Sequence, residues 1–332
     1  MGWLSGYGYR VKIPCSYTTA GAQTNYTVKI TILSGAGTNT TGNIYLQNHG
    51  LNWPNDIRFT SSDGSTQLDF YREEYDSTDG TWWVELDSIA SSGNTDFYLY
   101  YGNASSTDAS SGPSTFVHFD DFETGNFSRW DSVDTNSWTV QSTSKAEGTY
   151  AAKSVYAATN RQLSKDISPG QSVVIHLHVM VSSVSWAYVP VFLFTSASHT
   201  LYALAMISYK FQYYNGSYTD LPTSTVYAND TWYTVDVAID NSNQLFRWWV
   251  NGVSKGSATL KDQSGNTIAT DDFLSKSRAC GDSSSGGVGY LDQYWVRKYA
   301  YPEPAWASPN SEEVYSGTSI PVFMMQYRQR WR

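Results

Sequence analysis

Apolar side chains in this chain recur at every second position, and no segment carries a convincing helical period. Trp82, Val84 and Leu86 alternate with Trp83, Glu85 and Asp87, so one face of that segment is buried and the other is wet or paired. β-Branched and aromatic runs are separated by Gly, Asn, Ser and Asp clusters. A chain patterned this way has to build sheets. Its 332 residues suffice for about two domains. The expected fold class is therefore all-β, with two tandem β-sandwich domains and an extended C-terminal strand.

Residues 1–103 hold strand-like pieces at short intervals, among them "YRVKIPCSY", "YTVKITIL", "GNIYLQNHG" and "TDFYLYYGN". Asp63-Gly64 between two such runs is a hairpin signal. Residues 104–115, "ASSTDASSGPST", are polar, contain Pro113 and read as a linker. Residues 116–300 resume the strand pattern, with tight turns at Asn215-Gly216 and Asn251-Gly252, and suggest one large jelly roll. Residues 301–319 carry Pro302, Pro304 and Pro309 and read as a semi-extended spacer. In residues 320–332 the alternation returns. Phe323, Met325, Tyr327 and Trp331 fall on one side, and Gln326, Arg328, Arg330 and Arg332 on the other.

The first block resembles the DUF2341 domain, a family of unknown function. The resemblance is carried in order by Trp3 with "YRVKI", "YTVKITI", "DIRFTSSDGSTQLDFY", "WWVELDSI" and "LYYGN". The second block is similar to concanavalin A-like, laminin-G-like jelly rolls through "FDDFE" at 119–123, "EGTYAAK" at 147–153 and "GYLDQYWVRKY" at 289–299. Together the resemblances imply surface or extracellular roles and glycan-related contexts, and no established catalytic residues. They also imply a structural calcium ion tying the first and last strands of the jelly roll. It would be held by Asp121, Glu123, Glu147 and Asp292.

Net charge is −9 and the pI near 4.9, which argues against a nucleic-acid partner. Setting aside the arginines at 328, 330 and 332 leaves −12 on the rest. Cys15 and Cys280 fit neither a CxxC nor a zinc spacing, and read as buried thiols or as a disulfide between the domains. N-glycosylation sequons start at Asn25, Asn39, Asn103, Asn126, Asn215 and Asn229. Either they mark an extracellular face, or they arise by chance in a Ser/Thr/Asn-rich chain. No stretch of about 20 apolar residues could span a membrane.

Catalysis finds little support. A glycosidase needs two carboxylates flanking a bond, and the nearest pattern, "REEYD" at Arg72 to Asp76, reads as a solvated charged turn. His176 and His178 share one strand face, where two imidazoles could hold a metal. No neighbouring Cys or Glu completes a set. Aromatic residues make a stronger case for glycan binding: Trp186, Tyr188, Tyr213, Tyr214, Trp248 and Trp249. In a strand, neighbours point to opposite faces, so one of Trp248/Trp249 and one of Tyr213/Tyr214 should leave the core. Outside it they would meet a sugar, the other domain or another subunit.

The C-terminal strand needs a sheet edge to cover its apolar side. That edge belongs to its own chain or to the next copy; the third reading is that the segment marks a truncated or membrane-proximal end. Docking in the next copy is head-to-tail and produces a filament unless it closes into a ring. The leading expectation is a non-enzymatic, extracellular surface glycoprotein that assembles into a filament or coat. A carbohydrate-binding adhesin is the alternative, and a polysaccharide-degrading enzyme comes third.

Overall fold

The computed structural model describes residues 2–155, 162–167, 172–183, 187–195, 199–269, 274–280 and 288–316. It contains two β-sandwiches. In the first, Glu313–Val314, Tyr9–Ser16, Asn94–Tyr101 and Arg58–Ser61 lie side by side in one sheet. Asn43–Tyr45, Gln23–Leu33, Asp79–Ile89 and Phe70–Tyr75 form the sheet that faces it. The alternation read from the sequence is the packing rule. Val11, Ile13, Val28, Ile30, Trp82 and Val84 point inward and share one core. Lys29 and Trp83 point outward on the second of these sheets.

The second sandwich is larger. One sheet runs Trp138–Gln141, Ala151–Val155, Val288–Lys298, Ser172–Ser183, Tyr233–Asp240, Leu245–Val250 and Val253–Thr259, with His118–Asp120 also paired to Val288–Lys298. The opposing sheet runs Tyr218–Asp220, Lys210–Tyr214, Thr200–Ile207, Ala187–Thr195, Leu274–Cys280, Gln162–Asp166 and Ser132–Val133. Ile175, Leu177, Val235 and Val237 from one face meet Leu193, Leu201 and Leu204 in a single core. Among the described residues no helix is long and apolar enough to cross a membrane.

Two segments that read as connectors are parts of the first sandwich. Residues 104–115 are hydrogen-bonded along its flank: Asn52 Nδ2 donates to Ser106 O (2.6 Å) and Ser111 N to Phe70 O (2.8 Å). They end in one helical turn, Gly112–Thr115, with Pro113 in the first turn, where its missing N–H is not needed. The expected spacer at 301–319 is likewise corrected over its described part. Ser16 N donates to Ala305 O (2.6 Å), Ala307 N to Pro14 O (2.8 Å) and Asn310 N to Lys12 O (2.9 Å), before Glu313 pairs with Arg10. This is an irregular strap along the sheet edge that ends in the short strand Glu313–Val314, and an edge tolerates proline because one of its sides makes no ladder bonds. The second sandwich is therefore inserted between Asn94–Tyr101 and Glu313–Val314 of the first.

Trp306 anchors this returning strap. Its side chain is 8 % exposed in the first core, and its indole N–H donates to the Lys29 carbonyl at 3.0 Å. Cys15, beside it, is a buried free thiol pushed up to about 12 by desolvation, so it is not bonded to Cys280. The Cys280 side chain and the whole alternating segment at 320–332 lie outside the described residues.

If the strap is part of the core, Trp306→Ala will cost about 3–5 kcal/mol of stability, as large aromatic deletions do. Chemical denaturation should show that loss. A change under about 1 kcal/mol would mean that the strap merely lies on the surface.

Candidate functional site

The sandwiches meet through outward sheet faces. The face carrying Lys29, Glu73 and Trp83 on the first opposes the face carrying His176, Asp236, Trp249 and Trp295 on the second. Trp83, Phe116, Phe119 and Trp295, with Tyr71 beside them, form a buried ring cluster between the domains. Phe116 stacks on Trp295 with centroids 5.2 Å apart. Next to this seal the two faces leave an open cavity of about 550 Å³.

Charged and polar groups converge on the cavity. His176 Nδ1 lies 2.9 Å from Asp236 Oδ1, and the His176 ring stacks on Trp295 at 3.8 Å with a 4° tilt. Burial opposes ionisation of Asp236, but His176, Arg297 and Lys29 outweigh it and hold the carboxyl below its ordinary range. The ionised Asp236 carboxylate accepts the Nδ1–H of His176, which leaves Nε2 on the far side of the ring for another partner. Among the described residues neither His176 Nε2 nor Trp295 Nε1 has a partner, although both are buried in the cavity wall. His178, 5.5 Å from His176 between ring centroids, is pushed down to about 4 by desolvation and by that neighbour.

On the first domain's side, Glu73 Oε2 accepts from Trp83 Nε1 and pairs with Lys29, each at 3.0 Å. Arg297 sits 4.9 Å over the Trp83 ring and binds Glu303 of the strap through two hydrogen bonds of 2.7 and 3.1 Å. Glu147 stands exposed at the rim. Desolvation by the cavity walls, with repulsion from Glu73 and Glu74, raises its carboxyl.

A β-bulge positions the second domain's share. Val288–Lys298 carries one extra residue opposite His176–His178, where His176 pairs with Trp295 and His178 with Asp292. Gln293 there has φ +46°, and its side chain accepts a hydrogen bond from Tyr71 across the domain boundary (3.1 Å). Asp292 Oδ2 accepts the N–H groups of Ala146 (2.9 Å) and Glu147 (3.1 Å), which fixes the loop presenting Glu147. Gly148 follows at φ +57°, where an added Cβ would run into the Glu123 carboxylate.

The sequence candidates divide. Trp248 and Tyr213 are core residues, and the Trp248 indole donates to Ala203 O at 2.7 Å, so neither can serve as a sugar platform. Their neighbours Trp249 and Tyr214 leave the core, and Trp249 lines the cavity while Tyr214 packs on Tyr202 and Tyr218. Trp186 and the Tyr188 side chain lie outside the described residues.

The four calcium candidates do not form one group. Asp121 faces Arg129 (2.9 Å), Glu123 accepts from Thr149 N and Tyr150 N, and Asp292 is spent on its loop. Among the described residues no set of three or more His, Cys, Asp or Glu is arranged for a metal ion. The buried acid of "FDDFE" is Asp120, which accepts from Trp130 Nε1 at 2.7 Å and is raised to about 6 by burial.

Of the sequons, Asn25, Asn126 and Asn229 are exposed, whereas Asn39, Asn103 and Asn215 are half-buried, and Asn39 Nδ2 already donates to Asn310 O (3.0 Å). The reading of "REEYD" as a solvated turn is corrected for Glu73 and Glu74, which line the cavity. Trp83 and Trp295 were missed as site residues. Both belong to aromatic doublets, Trp82-Trp83 and Tyr294-Trp295, to which the same alternation applies.

Asp292 carries a pH signature. Desolvation raises its carboxyl to about 7, against the pull of three N–H donors. The folded chain therefore holds that proton more tightly than the unfolded chain does. Its contribution to stability is complete below the unfolded value and declines as pH rises through about 7. Carboxyl NMR should show a group titrating near about 7, and Asp292→Asn should remove both that titration and the matching slope in thermal stability. An Asp292 signal at an ordinary carboxylate value would contradict this.

The family model described as "Domain of unknown function (DUF2341)" matches residues 53–141. The resemblance is supported over that span, with boundaries that differ from 1–103: the match begins inside the first sandwich and runs into the opening strands of the second. No curated protein matches the sequence. Among solved structures, a sialidase aligns with TM-score 0.39 and 8 % identity over 64 % of this chain and 20 % of its own. The conserved carbohydrate esterase from the Shiga toxin-encoding bacteriophage phi24B aligns with TM-score 0.41 and 14 % identity, over 56 % of this chain and 99 % of its own. Domain 4 of AbnA, an extracellular arabinanase from Geobacillus stearothermophilus, aligns with TM-score 0.38 and 12 % identity, over 57 % of this chain and 93 % of its own. The chain spans only a fifth of the sialidase, and at these scores no activity transfers to it.

Proposed function

We propose that this chain is a non-catalytic extracellular or cell-surface protein that binds carbohydrate in the cleft between its two sandwiches, the second being of concanavalin A-like type. The observation that carries this reading is the placement of Trp249. Alternation puts this ring outside the core, and it stands in the wall of a 550 Å³ cavity among carboxylate, imidazole and amide groups. Sugars present apolar C–H faces and a rim of hydroxyls, which match an indole face ringed by acceptors. The buried His176 Nε2 and Trp295 Nε1, without partners among the described residues, belong to side chains of the same wall. The exposed sequons at Asn25, Asn126 and Asn229 suit an extracellular setting.

Assembly through the C-terminal strand is a second reading, favoured by one observation. The sheet edge beside Tyr9–Ser16 is already taken in cis by residues 305–314, so a further strand needs a different edge, which a neighbouring copy can supply.

On a glycan array the protein should bind a defined set of sugars, and Trp249→Ala should weaken that binding at least about tenfold. Trp248→Ala should instead lower stability. Binding to no sugar, or binding untouched by Trp249→Ala, would rule the cleft out. For the second reading, a chain ending at residue 316 should stay monomeric where the full chain forms threads in negative stain. Threads from the shortened chain would remove that reading.

A further inference from the structure

We infer that the cleft selects glycans with free amino groups, holding the ammonium of an amino sugar with Glu147 of the second sandwich and Glu74 of the first. This rests on the carbohydrate-binding reading and deepens it.

The argument is a charge inventory of one cavity. Its lining carries the carboxylates of Glu73, Glu74, Glu147, Asp236 and Glu303 and only two permanent cations, Lys29 and Arg297. Both cations are committed, Lys29 to Glu73 at 3.0 Å and Arg297 to Glu303 at 2.7 Å. Asp236 is occupied by His176. Glu74 accepts one long hydrogen bond from Thr81 Oγ1 (3.3 Å), and no ion pair of Glu74 or Glu147 occurs among the described residues. Of the two histidines in the wall, His176 is committed to Asp236 at 2.9 Å and His178 stays neutral down to about pH 4, so neither answers Glu74 or Glu147. Glu147 and Glu74 border the same cavity from opposite domains, and repulsion from Glu73 and Glu74 adds to desolvation in raising the Glu147 carboxyl.

A separate feature of the same wall points to a ligand. His176 is 3 % exposed and Trp295 1 %, and each has a ring nitrogen with no partner. Buried polar groups are rarely left so unless a bound molecule or water completes them. A polyol answers these nitrogens and the Trp249 face, and an ammonium group answers the two carboxylates. Uronic acids and sulfated sugars would bring negative charge to a negative cavity and are disfavoured.

The test uses the full chain and calorimetric titration with β-1,4-linked glucosamine oligomers, their fully N-acetylated counterparts and oligolysine. The free-amine oligomer should bind at least about tenfold more tightly than the acetylated one, as expected for a charge-assisted contact. Added salt should narrow that gap. The Glu74→Gln, Glu147→Gln double variant should close the gap, weakening the free-amine oligomer at least about tenfold more than the acetylated one. Both side chains are exposed, so the fold tolerates the change. Equal affinity for the two oligomers, or equal loss of both in the variant, overturns the amine inference and leaves the cleft as a neutral-sugar site. Binding of oligolysine but of neither sugar overturns both readings in favour of a basic peptide. Binding of no probe overturns both outright.

Discussion

Phe116 and Trp295 stack 5.2 Å apart outside both cores, and the relation between the two sandwiches hangs on them. Phe119 lies parallel to Phe116 (7° between planes), and Tyr71 packs edge-on against Phe119 at 4.7 Å. Removing such rings from water is worth roughly 1.5–3 kcal/mol each, enough to hold two outward sheet faces together. Once the faces are held, side chains that would be solvated on an isolated sandwich share a cavity. Trp295 has two roles here. One neighbour of its ring is the apolar seal, and the other is His176, stacked at 3.8 Å. Loosening the seal would therefore disturb the site itself.

The returning strap ties electrostatics to topology. Arg297 lies in the second sandwich, is 8 % exposed, and would be costly to bury unpaired. Its partner Glu303 comes from the strap, which also receives a hydrogen bond from Tyr26 of the first sandwich at 3.0 Å. The chain crosses between the sandwiches twice, at residues 116–118 and again near residue 300. The second crossing supplies the carboxylate that makes the buried guanidinium tolerable. Because Arg297 is neutralised there, it does not offset Glu74 and Glu147, and the cleft keeps its acidic character.

Much of this was legible in the chain, although in separate pieces. Alternation alone predicted that Trp248 and Trp249 would part, and Tyr213 and Tyr214 likewise. It also placed His176 and His178 on one face. The same rule, applied to Trp82-Trp83 and Tyr294-Trp295, marks the two rings at the domain boundary, yet the sequence carries no sign that these faces meet. "REEYD" read as a solvated turn because a local charge run cannot report what packs over it. The connectors were misread for a related reason. Ser, Gly and Pro at 104–115, and three prolines after residue 300, describe local backbone preference, whereas docking depends on which edge has N–H and C=O groups to spare.

By itself the sequence determined the class of fold, the strand faces and the parting of each aromatic doublet into one inner and one outer ring. These follow from a period of two set by backbone geometry, which every residue reports locally. Only the tertiary structure decided that Glu73 and Glu74, seventy or more positions before Glu147 and still further before His176 and Trp295, would border one cavity. It also decided that a proline-rich return would close the first sheet. Such meetings depend on the docking of surfaces whose complementarity is spread over distant segments, and no local periodicity records it.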